Sequence, residues 1–346
     1  MSNKLKLAIV GFGRMGITHY SIINSHPDIV ITAVADTSSL VLNLLKKYIK
    51  EIHTYTDYNE LLDNESLDAI LICTPPTLHY PIALKAFEKK VHVFSEKPFT
   101  INLRQADDLA TKFREMNLVN QVGYVNRFND VFLTVKDYIK NGIIGEILRF
   151  KSEMYSRTIT KSEEGNTWRD SRELGGGAIF EVASHAIDLV NYIVGKPDRV
   201  TGSSLTQIYS KKVEDAVNAT FLYKNGISGT LNVNWSDESY RKPTNKIEVF
   251  GSKGKILADQ HGLKIYLKKE LPDYNLVEGW NTRYITDVFK PVPFYVRGNE
   301  FTSQLYHFID CIIDRDKSNQ CTFRDATDTH EVIAGIFSDY QQNSKF

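Results

Sequence analysis

The fold is decided by the stretch LAIVGFGRMG, residues 7–16, in which an apolar run meets three glycines. Leu7–Val10 predicts a buried strand, and residues 16–25 predict the helix that follows it. In a strand–turn–helix unit, such glycines allow a tight turn, a close approach of the backbone to a diphosphate, and close packing of the helix on the strand. The helix N-terminus offers free N–H groups to the phosphate oxygens. The stretch therefore predicts a dinucleotide site formed by Gly11, Phe12, Gly13, Arg14, Met15 and Gly16.

An acidic residue downstream supports that prediction. Asp36 ends the second apolar run, residues 30–35, near the spacing at which a carboxylate binds the ribose hydroxyls of a dinucleotide. The same carboxylate repels a 2′-phosphate, and the neighbouring Thr37-Ser38-Ser39 carry no positive charge that would attract one. We therefore expect NAD as the cofactor in preference to NADP. The alternative is a glycine turn that serves packing alone.

The first third of the chain alternates apolar runs with amphipathic stretches. Near-continuous apolar strands separated by helices are typical of a parallel sheet covered on both faces. We therefore predict a Rossmann dinucleotide-binding domain over residues 1–123. Its strands are predicted at 7–10, 30–35, 69–73, 91–94 and 119–124, and its helices at 16–25, 40–49, 81–89 and 104–116.

The rest of the chain has a different pattern, with short strands and tight turns. Asn225-Gly226 lies between two predicted strands and favours a hairpin, since both residues tolerate positive φ; residues 251–254 form a second such turn. We predict an α+β domain over residues 124–346, built on a largely antiparallel open sheet, so that the chain as a whole is of the α/β class. Strands are predicted at 148–154, 216–223, 227–235, 246–250 and 263–267, and helices at 301–313 and 325–342.

The composition is that of an ordinary globular protein, with 42 Lys and Arg balanced by 42 Asp and Glu. Without net charge or a basic run, we expect neither nucleic acid nor an anionic membrane as a partner. No apolar stretch approaches the roughly 20 residues that span a bilayer. The 3 cysteines lie far apart and lack metal-ligand spacing, which favours a reducing compartment. We expect a cytoplasmic enzyme without a metal.

A lysine follows one of the predicted strands. The run Val91–Phe94 leads through Ser95 to Glu96-Lys97-Pro98. Residues at the carboxyl ends of parallel strands line the ligand crevice of such a sheet. Lys97 is therefore predicted to lie where a nicotinamide ring would bind, and Glu96 to fix either Lys97 or the strand end. Both are predicted as residues of the cofactor site.

Thr74 and Pro75 follow the preceding strand in the same way. They either line the crevice beside the cofactor or only terminate the strand. His79, shortly after them, is interpreted as an early helix residue and not as a ligand.

A second glycine-rich motif, Gly175-Gly176-Gly177, leads into a helix that is predicted to end near Gly195. Glu181, His185 and Asp188 follow at i, i+4 and i+7 and so share one predicted face. A histidine, with an ordinary pKa of about 6.5, suits removal of a hydroxyl proton. The alternative is a solvated polar stripe. The opposite, apolar face is formed by Ile179, Val182, Ala186, Leu189 and Ile193.

Together the glycine fingerprint of residues 11–16, the strand-end Glu96-Lys97-Pro98 and the glycine run leading to His185 resemble the Gfo/Idh/MocA oxidoreductases. That family is named for glucose–fructose oxidoreductase and inositol dehydrogenase. The order of the two domains and the segment Tyr124–Phe128 at their junction match as well, so the resemblance covers nearly the whole chain. It implies hydride transfer between nicotinamide and a carbinol carbon of a sugar, polyol or nucleotide-sugar. It also implies a C-terminal domain that binds substrate and forms a homodimer or homotetramer through its open sheet.

Within that chemistry, Lys97, His185 and Glu181 are the predicted catalytic residues, and all three are expected to contact the substrate. His185 takes the hydroxyl proton, and Lys97 stabilises the negative charge that develops on the oxygen. In the family the position of Glu181 is usually aspartate, so this chain has a longer side chain there. The resemblance further places Asn126 near the nicotinamide and suggests a cis peptide bond before Pro98.

Three more side chains are predicted to bind substrate. Arg127 either faces the substrate or is structural. Trp168 and Arg169 lie in the charged stretch 161–172 and offer stacking and hydrogen bonds to a saccharide; alternatively, they belong to a surface loop fixed by one tryptophan.

The expected function is thus an NAD-dependent dehydrogenase that acts on CH–OH groups. One alternative is an NADP-dependent carbonyl or diol oxidoreductase of the same fold, which Asp36 disfavours. Another is a non-catalytic regulator that senses dinucleotides, which the presence of Lys97 and His185 disfavours.

Overall fold

The computed structural model describes residues 4–161 and 168–343. They form two compact units. The first comprises the described residues up to Val125 together with Pro291–Thr327, and the second comprises Asn126–Lys290 together with the described residues from Asp328 onward. The prediction placed a single domain boundary after residue 123, and so did not include the return of Pro291–Thr327 to the first unit. As a division of functional domains, 1–123 and 124–346 stays a prediction.

The first unit contains a six-stranded sheet in the order β3-β2-β1-β4-β5-β6, with all pairs parallel. This order, with the chain reversing direction across the sheet between β1 and β4, confirms the predicted Rossmann fold. The strands are β1 Leu5–Val10, β2 Ile29–Ala35, β3 His53–Tyr55, β4 Ala69–Ile72, β5 His92–Ser95 and β6 Asn120–Val122. The helices between them are α1 Arg14–Ile23, α2 Ser39–Tyr48, α3 Tyr58–Asn64, α4 His79–Glu88 and α5 Leu103–Glu115.

The apolar runs of the sequence correspond to the central strands. Every residue of β4 is buried, as a strand covered by helices on both faces requires. The edge strand β3 and the helix α3 were not predicted, because β3 has only three residues, none of them aliphatic. The pattern of buried residues therefore identifies the central strands and the edge strand β6, and misses the edge strand β3.

The second unit contains an eight-stranded sheet in the order β14-β13-β12-β11-β7-β10-β9-β8. Its neighbours are antiparallel except for β7 and β10, which are parallel, so the predicted largely antiparallel sheet is confirmed. The strands are β7 Ile147–Tyr155, β8 Arg199–Thr206, β9 Ala216–Leu222, β10 Ser228–Asn234, β11 Thr244–Gly251, β12 Gly254–Asp259, β13 Gly262–Leu267 and β14 Gly279–Tyr284. The helices are α6 Asp130–Lys140, α7 Ser184–Ile193 and α8 Ile285–Val288.

One face of this sheet is covered and the other is open. Along β11, buried residues alternate with partly exposed ones, which is the pattern of a sheet packed on one side. The buried side chains join those of α6 and α7 in one core that includes Phe132, Leu189 and Val249. The predicted hairpin is also present, because β9 and β10 are joined through Asn225 and Gly226, and Gly226 has φ +89°.

Two further helices complete the chain, α9 Asn299–Ile313 and α10 Phe323–Asn343, close to the predicted spans. Helix α9 belongs to the first unit, where Leu305 and Ile309 share a core with Ile22 of α1. Among the described residues, no helix is long and apolar enough to cross a membrane.

Candidate functional site

The glycine turn between β1 and α1 gives each glycine a different task. Gly11 has φ +89°, and a Cβ there would lie 2.8 Å from the carbonyl carbon of Cys73, where β4 ends. A Cβ on Gly16 would lie 2.1 Å from the carbonyl oxygen of Gly11, so this glycine lets α1 pack against the turn. Around Gly13, by contrast, no atom of the described residues other than its immediate chain neighbours comes within 4 Å of a Cβ position. The first and third glycines thus shape the turn, and the second leaves open space beside it.

Asp36 holds the turn in place. Its Oδ2 accepts a hydrogen bond from the backbone amide of Phe12 at 2.6 Å, and its Oδ1 accepts one from the amide of Ser38 at 2.8 Å. The amide of Gly11 donates to the carbonyl of Ala35, the last residue of β2, at 2.8 Å. The carboxylate predicted to bind ribose is therefore also an anchor of the glycine turn. Each of its oxygens retains a further lone pair for a ligand.

A dinucleotide diphosphate fits the turn as it stands. Helix α1 begins after Gly13, which has no side chain to cap the helix. The first turn of α1 contains no acidic residue. The N–H groups of that turn and the partial positive charge of the helix N-terminus therefore remain available to an anion. The open space at Gly13 lies at the place where the diphosphate would approach. The chain thus has the backbone donors and the room that NAD requires.

Beside the turn, His79 links the ends of β4 and β5. Its Nδ1 lies 2.9 Å from the carbonyl oxygen of Pro98, and its Nε2 lies 2.8 Å from that of Thr74. Carbonyls only accept, so a neutral ring donates to one of the two. Burial lowers the pKa of His79, against the opposing effect of both carbonyls and of Glu96. His79 is the first residue of α4, as predicted.

Lys97 follows β5, and its peptide bond to Pro98 is cis, as the family resemblance suggested. The buried carboxylate of Glu96 fixes the lysine backbone, because its Oε2 accepts the Lys97 amide at 3.2 Å. The other oxygen, Oε1, accepts a hydrogen bond from His19 Nε2 at 2.6 Å. Burial opposes ionisation of Glu96, but the His19 hydrogen bond and the charges of His19 and Lys97 outweigh it, so the pKa of Glu96 is lowered. The carboxylate is thus held ionised next to Lys97.

In the second unit, the residues after the glycine run are buried except at two positions. The run leads into a π-helical turn, Ile179–Ala183, which continues directly as α7. Residues 175–190 are buried apart from Glu181 and His185, which are partly exposed. Their shared exposure agrees with the predicted polar face. The predicted apolar residues of this helix are all buried.

Asp188 differs from Glu181 and His185 in being buried, so it is not part of an exposed polar stripe. It is 1% exposed, and its carboxylate receives Nε of Arg127 at 2.9 Å and Nη2 at 2.8 Å. The guanidinium of Arg127 balances the charge of this carboxylate and allows it to lie in the interior. For Arg127 itself the contact supports the structural alternative. Substrate binding by Arg127 stays a prediction.

Arg169 lies beside Glu181, and Trp168 lies against Arg169. Nη2 of Arg169 is 3.3 Å from Oε1 of Glu181, and the guanidinium carbon is 4.7 Å from the centre of the Trp168 ring. A Cβ on Gly176 would lie 2.2 Å from the carbonyl oxygen of Arg169, so the glycine run allows this loop to approach the helix. Of the charged stretch 161–172, residues 162–167 lie outside the described part of the chain.

Glu214 is a member of this arrangement that the sequence did not reveal. It is 2% exposed, and its Oε1 accepts the amide of Ile179 at 3.0 Å. Its Oε2 accepts Nη2 of Arg172 at 2.9 Å. Gly177 has φ +100°, a backbone conformation that favours glycine, and a Cβ there would also lie 2.3 Å from Glu214 Oε1. A lone acid far along the chain carries no pattern that would have indicated this contact.

The remaining predicted cofactor residues are placed as follows. Arg14 and Met15 begin α1, and Phe12 packs edge-on against the Tyr20 ring with 5.6 Å between the ring centres. Asn126 is 7% exposed, in a short 3₁₀ turn, and its role at the cofactor stays a prediction. In the part of the chain that the structure describes, no group of three His, Cys, Asp or Glu side chains has the geometry of a metal site.

Two family models match the chain. Residues 5–124 match the model described as "Oxidoreductase family, NAD-binding Rossmann fold", and residues 132–257 match the "GFO/IDH/MocA C-terminal domain". Together the matches cover well over half of the chain.

Among curated proteins, the chain is similar to myo-inositol 2-dehydrogenase of Thermotoga maritima, with 28% identity over 74% of this chain and 75% of that protein. It is also similar to scyllo-inositol 2-dehydrogenase (NAD(+)) of Bacillus subtilis, with 24% identity over 96% of this chain and 93% of that protein. Among solved structures, a levoglucosan dehydrogenase in complex with NADH and levoglucosan superposes with a TM-score of 0.86 at 21% identity, covering 98% of both chains. That structural likeness supports the fold.

Proposed function

The chain belongs to the Gfo/Idh/MocA family of NAD-binding oxidoreductases, and on that premise we propose that it is a dehydrogenase of a sugar, polyol or nucleotide-sugar. NAD, when bound, would accept the hydride from the carbinol carbon. The side chains of the protein would position the substrate hydroxyl and remove its proton.

The observation that carries the proposal is the placement of Lys97 in the first unit. Lys97 follows β5, Thr74 follows β4 and Gly11 follows β1, and these three strands are neighbours in the sheet. The carboxyl ends of such strands border the crevice at the point where the strand order reverses. A lysine fixed through Glu96 at this edge is therefore directed to the neighbourhood of the glycine turn.

Lys97 is proposed to donate a hydrogen bond to the substrate oxygen. As the hydroxyl is oxidised to a carbonyl, its oxygen gains negative charge, and a fixed cation stabilises that charge more than it stabilises the neutral alcohol. The buried Glu96 carboxylate keeps the Lys97 backbone in one position. This arrangement supplies the preorganisation on which such stabilisation depends.

His185 is proposed as the base that takes the hydroxyl proton, with Glu181 assisting. Their partial exposure within an otherwise buried segment supports this assignment. Arg169 contacts Glu181 and provides a guanidinium next to it for hydrogen bonds to sugar hydroxyls. The Trp168 ring beside Arg169 offers an apolar face of the kind that sugar rings stack on.

A polyhydroxylated substrate is favoured by what the relatives are named for, which are inositols and levoglucosan. We further propose that the chain forms a homodimer or homotetramer through the open face of its eight-stranded sheet. That face ends at β14, where Trp280 and Tyr284 are 55% and 64% exposed. All three cysteines are free thiols, which supports a reducing compartment such as the cytoplasm.

The test is a spectrophotometric screen for reduction of NAD, and in parallel of NADP, over inositols, hexoses and nucleotide-sugars. We expect turnover with NAD on at least one member of the panel and much weaker turnover with NADP. Preference for NADP would favour the carbonyl or diol oxidoreductase. Tight binding of NAD without oxidation of any member would favour the dinucleotide-sensing regulator.

A further inference from the structure

A second arginine lies at the glycine turn, contributed by a distant part of the chain. Arg297 belongs to the segment Pro291–Thr327, which folds with the first unit. Its Nη1 is 3.4 Å from Sδ of Met15, the second residue of α1. The chain thus returns to the glycine turn only after it has passed through every strand of the second sheet.

The position of Arg297 is fixed by its neighbours. Its guanidinium carbon lies 4.9 Å from the centre of the Phe301 ring, in the first turn of α9. The hydroxyl of Thr302, in α9, donates to the carbonyl of Phe294 at 2.6 Å and ties the segment before the helix to the helix itself. Helix α9 in turn shares a core with α1 through Ile309 and Ile22. The arginine is therefore carried by an element that packs on the helix whose N-terminus it approaches.

The electrostatics at this place call for an anion. Arg14, at the first position of α1, acts on Arg297 as a like charge. The N-terminus of α1 adds a partial positive charge of its own. Partial burial and the charge of Arg14 lower the pKa of Arg297, and Glu96 and Glu300 oppose them. Two guanidinium groups and the N-terminus of α1, which has no side-chain cap, thus lie at the glycine turn, with Glu96 and Glu300 as the opposing charges.

We propose that Arg297 binds the diphosphate of the dinucleotide cofactor, together with the first-turn amides of α1. The inference rests on the proposed function in that NAD must occupy the glycine turn. A guanidinium is suited to the role because its planar N–H groups match phosphate oxygens. The diphosphate is favoured over an anionic group of the substrate because the contact of Arg297 is with Met15, inside the glycine fingerprint. The sequence alone gave no indication of this role.

The experiment measures binding, by titration calorimetry, of NAD, ADP-ribose and adenosine to the wild type, Arg297→Gln and Arg297→Lys. ADP-ribose has the diphosphate without nicotinamide, and adenosine lacks the diphosphate. We expect Arg297→Gln to weaken NAD and ADP-ribose by roughly 10- to 100-fold, the usual effect of losing a charge-assisted hydrogen bond, and to leave adenosine unchanged. Arg297→Lys should keep part of the affinity, because it keeps the charge and loses the planar donors.

Arg104→Gln is the matched control, since Arg104 is exposed on α5 of the same unit. This variant should bind all three ligands like the wild type. ADP-ribose binding to Arg297→Gln at wild-type strength would overturn the inference and leave the proposed function intact. Equal weakening of adenosine would also overturn it, because the effect would then not be one on the diphosphate. If the wild type binds neither NAD nor ADP-ribose, the proposed function and the inference both fail.

Discussion

The ring of His19 lies 2.6 Å from the carboxylate of Glu96, and both side chains are buried. A carboxylate only accepts hydrogen bonds, so the ring nitrogen donates. The contact joins α1, which begins in the glycine turn, to the residue that precedes Lys97. One buried pair thereby fixes the predicted cofactor turn and the predicted catalytic lysine with respect to each other within the first unit.

Replacing His19 by alanine should destabilise the fold strongly. The change leaves a buried carboxylate without its main hydrogen-bond donor, which costs about 2–4 kcal/mol in the free energy of unfolding. Urea denaturation measures this. The matched control is His53→Ala, because His53 contacts Glu65 at 2.7 Å but is 69% exposed, and such a pair contributes about 0–1 kcal/mol. Equal losses in the two variants would contradict the role given to the buried pair.

Replacing the glycines of the turn by alanine should have different effects: one change should lower the NAD affinity and the other the stability of the fold. Gly13→Ala places its methyl group in open space and should melt like the wild type, but it should weaken NAD binding by about tenfold or more, because overpacking costs about 1–3 kcal/mol. Gly16→Ala meets the carbonyl of Gly11 and should lower the melting temperature even without ligand. Melting curves and titration calorimetry with NAD check both. Unchanged NAD affinity in Gly13→Ala would contradict the placement of the cofactor beside Gly13.

The buried pair of Arg127 and Asp188 is predicted to be structural. Arg127→Met leaves the buried Asp188 carboxylate without its guanidinium, and should cost about 3–5 kcal/mol in the free energy of unfolding. Arg127→Met combined with Asp188→Leu should recover much of that loss. Lys196→Met is the control, because Lys196 pairs with Asp328 near the surface and should lose about 1 kcal/mol or less. A stable Arg127→Met that loses only affinity for substrate would instead restore the substrate-binding role.

Stability should fall on acidification partly through His92. Nδ1 of His92 accepts the amide of Val119 at 3.0 Å, and burial, followed by the charge of Arg315, lowers the pKa of His92 to about 4. The unfolded chain takes up this proton near pH 6.5 and the folded chain does not, so stability is lost between pH 6.5 and 4, by roughly 2–3 kcal/mol at pH 4. His92→Asn keeps an acceptor and does not titrate. Its urea-unfolding free energy should therefore fall less steeply over that range, and parallel pH curves for the two proteins would contradict the assignment.

Features that depend on nearby residues were predicted well from the sequence. The tasks of Gly11, Gly13 and Gly16, the hairpin at Asn225-Gly226 and the cis bond before Pro98 are local, or carried by a motif that a family shares. The strands of the Rossmann sheet were found because their residues are buried on both faces. The edge strand β3 was missed because it lacks that burial.

Contacts between distant segments left no such trace. Neither His19 with Glu96 nor Arg297 with Met15 could be predicted, because nothing in the chain marks two residues 77 or 282 positions apart as partners. The α-helical spacing of Glu181, His185 and Asp188 predicted a shared face, but not that Asp188 would be buried against Arg127. Local pattern thus predicted the scaffold, and long-range pairing decided which polar side chains face the interior.

The most direct test of the proposed function is a comparison of Lys97→Met with Lys46→Met, a change at an exposed lysine of the same unit. Both would be assayed for NAD binding and for turnover of the sugar or polyol that the wild type oxidises fastest. We predict that both variants bind NAD within a few-fold of the wild type. Lys97→Met should lose turnover by about 10²–10³-fold, as expected for a lost donor to the developing oxyanion, and Lys46→Met should lose none. Turnover by Lys97→Met at the rate of the wild type would contradict the catalytic role of Lys97.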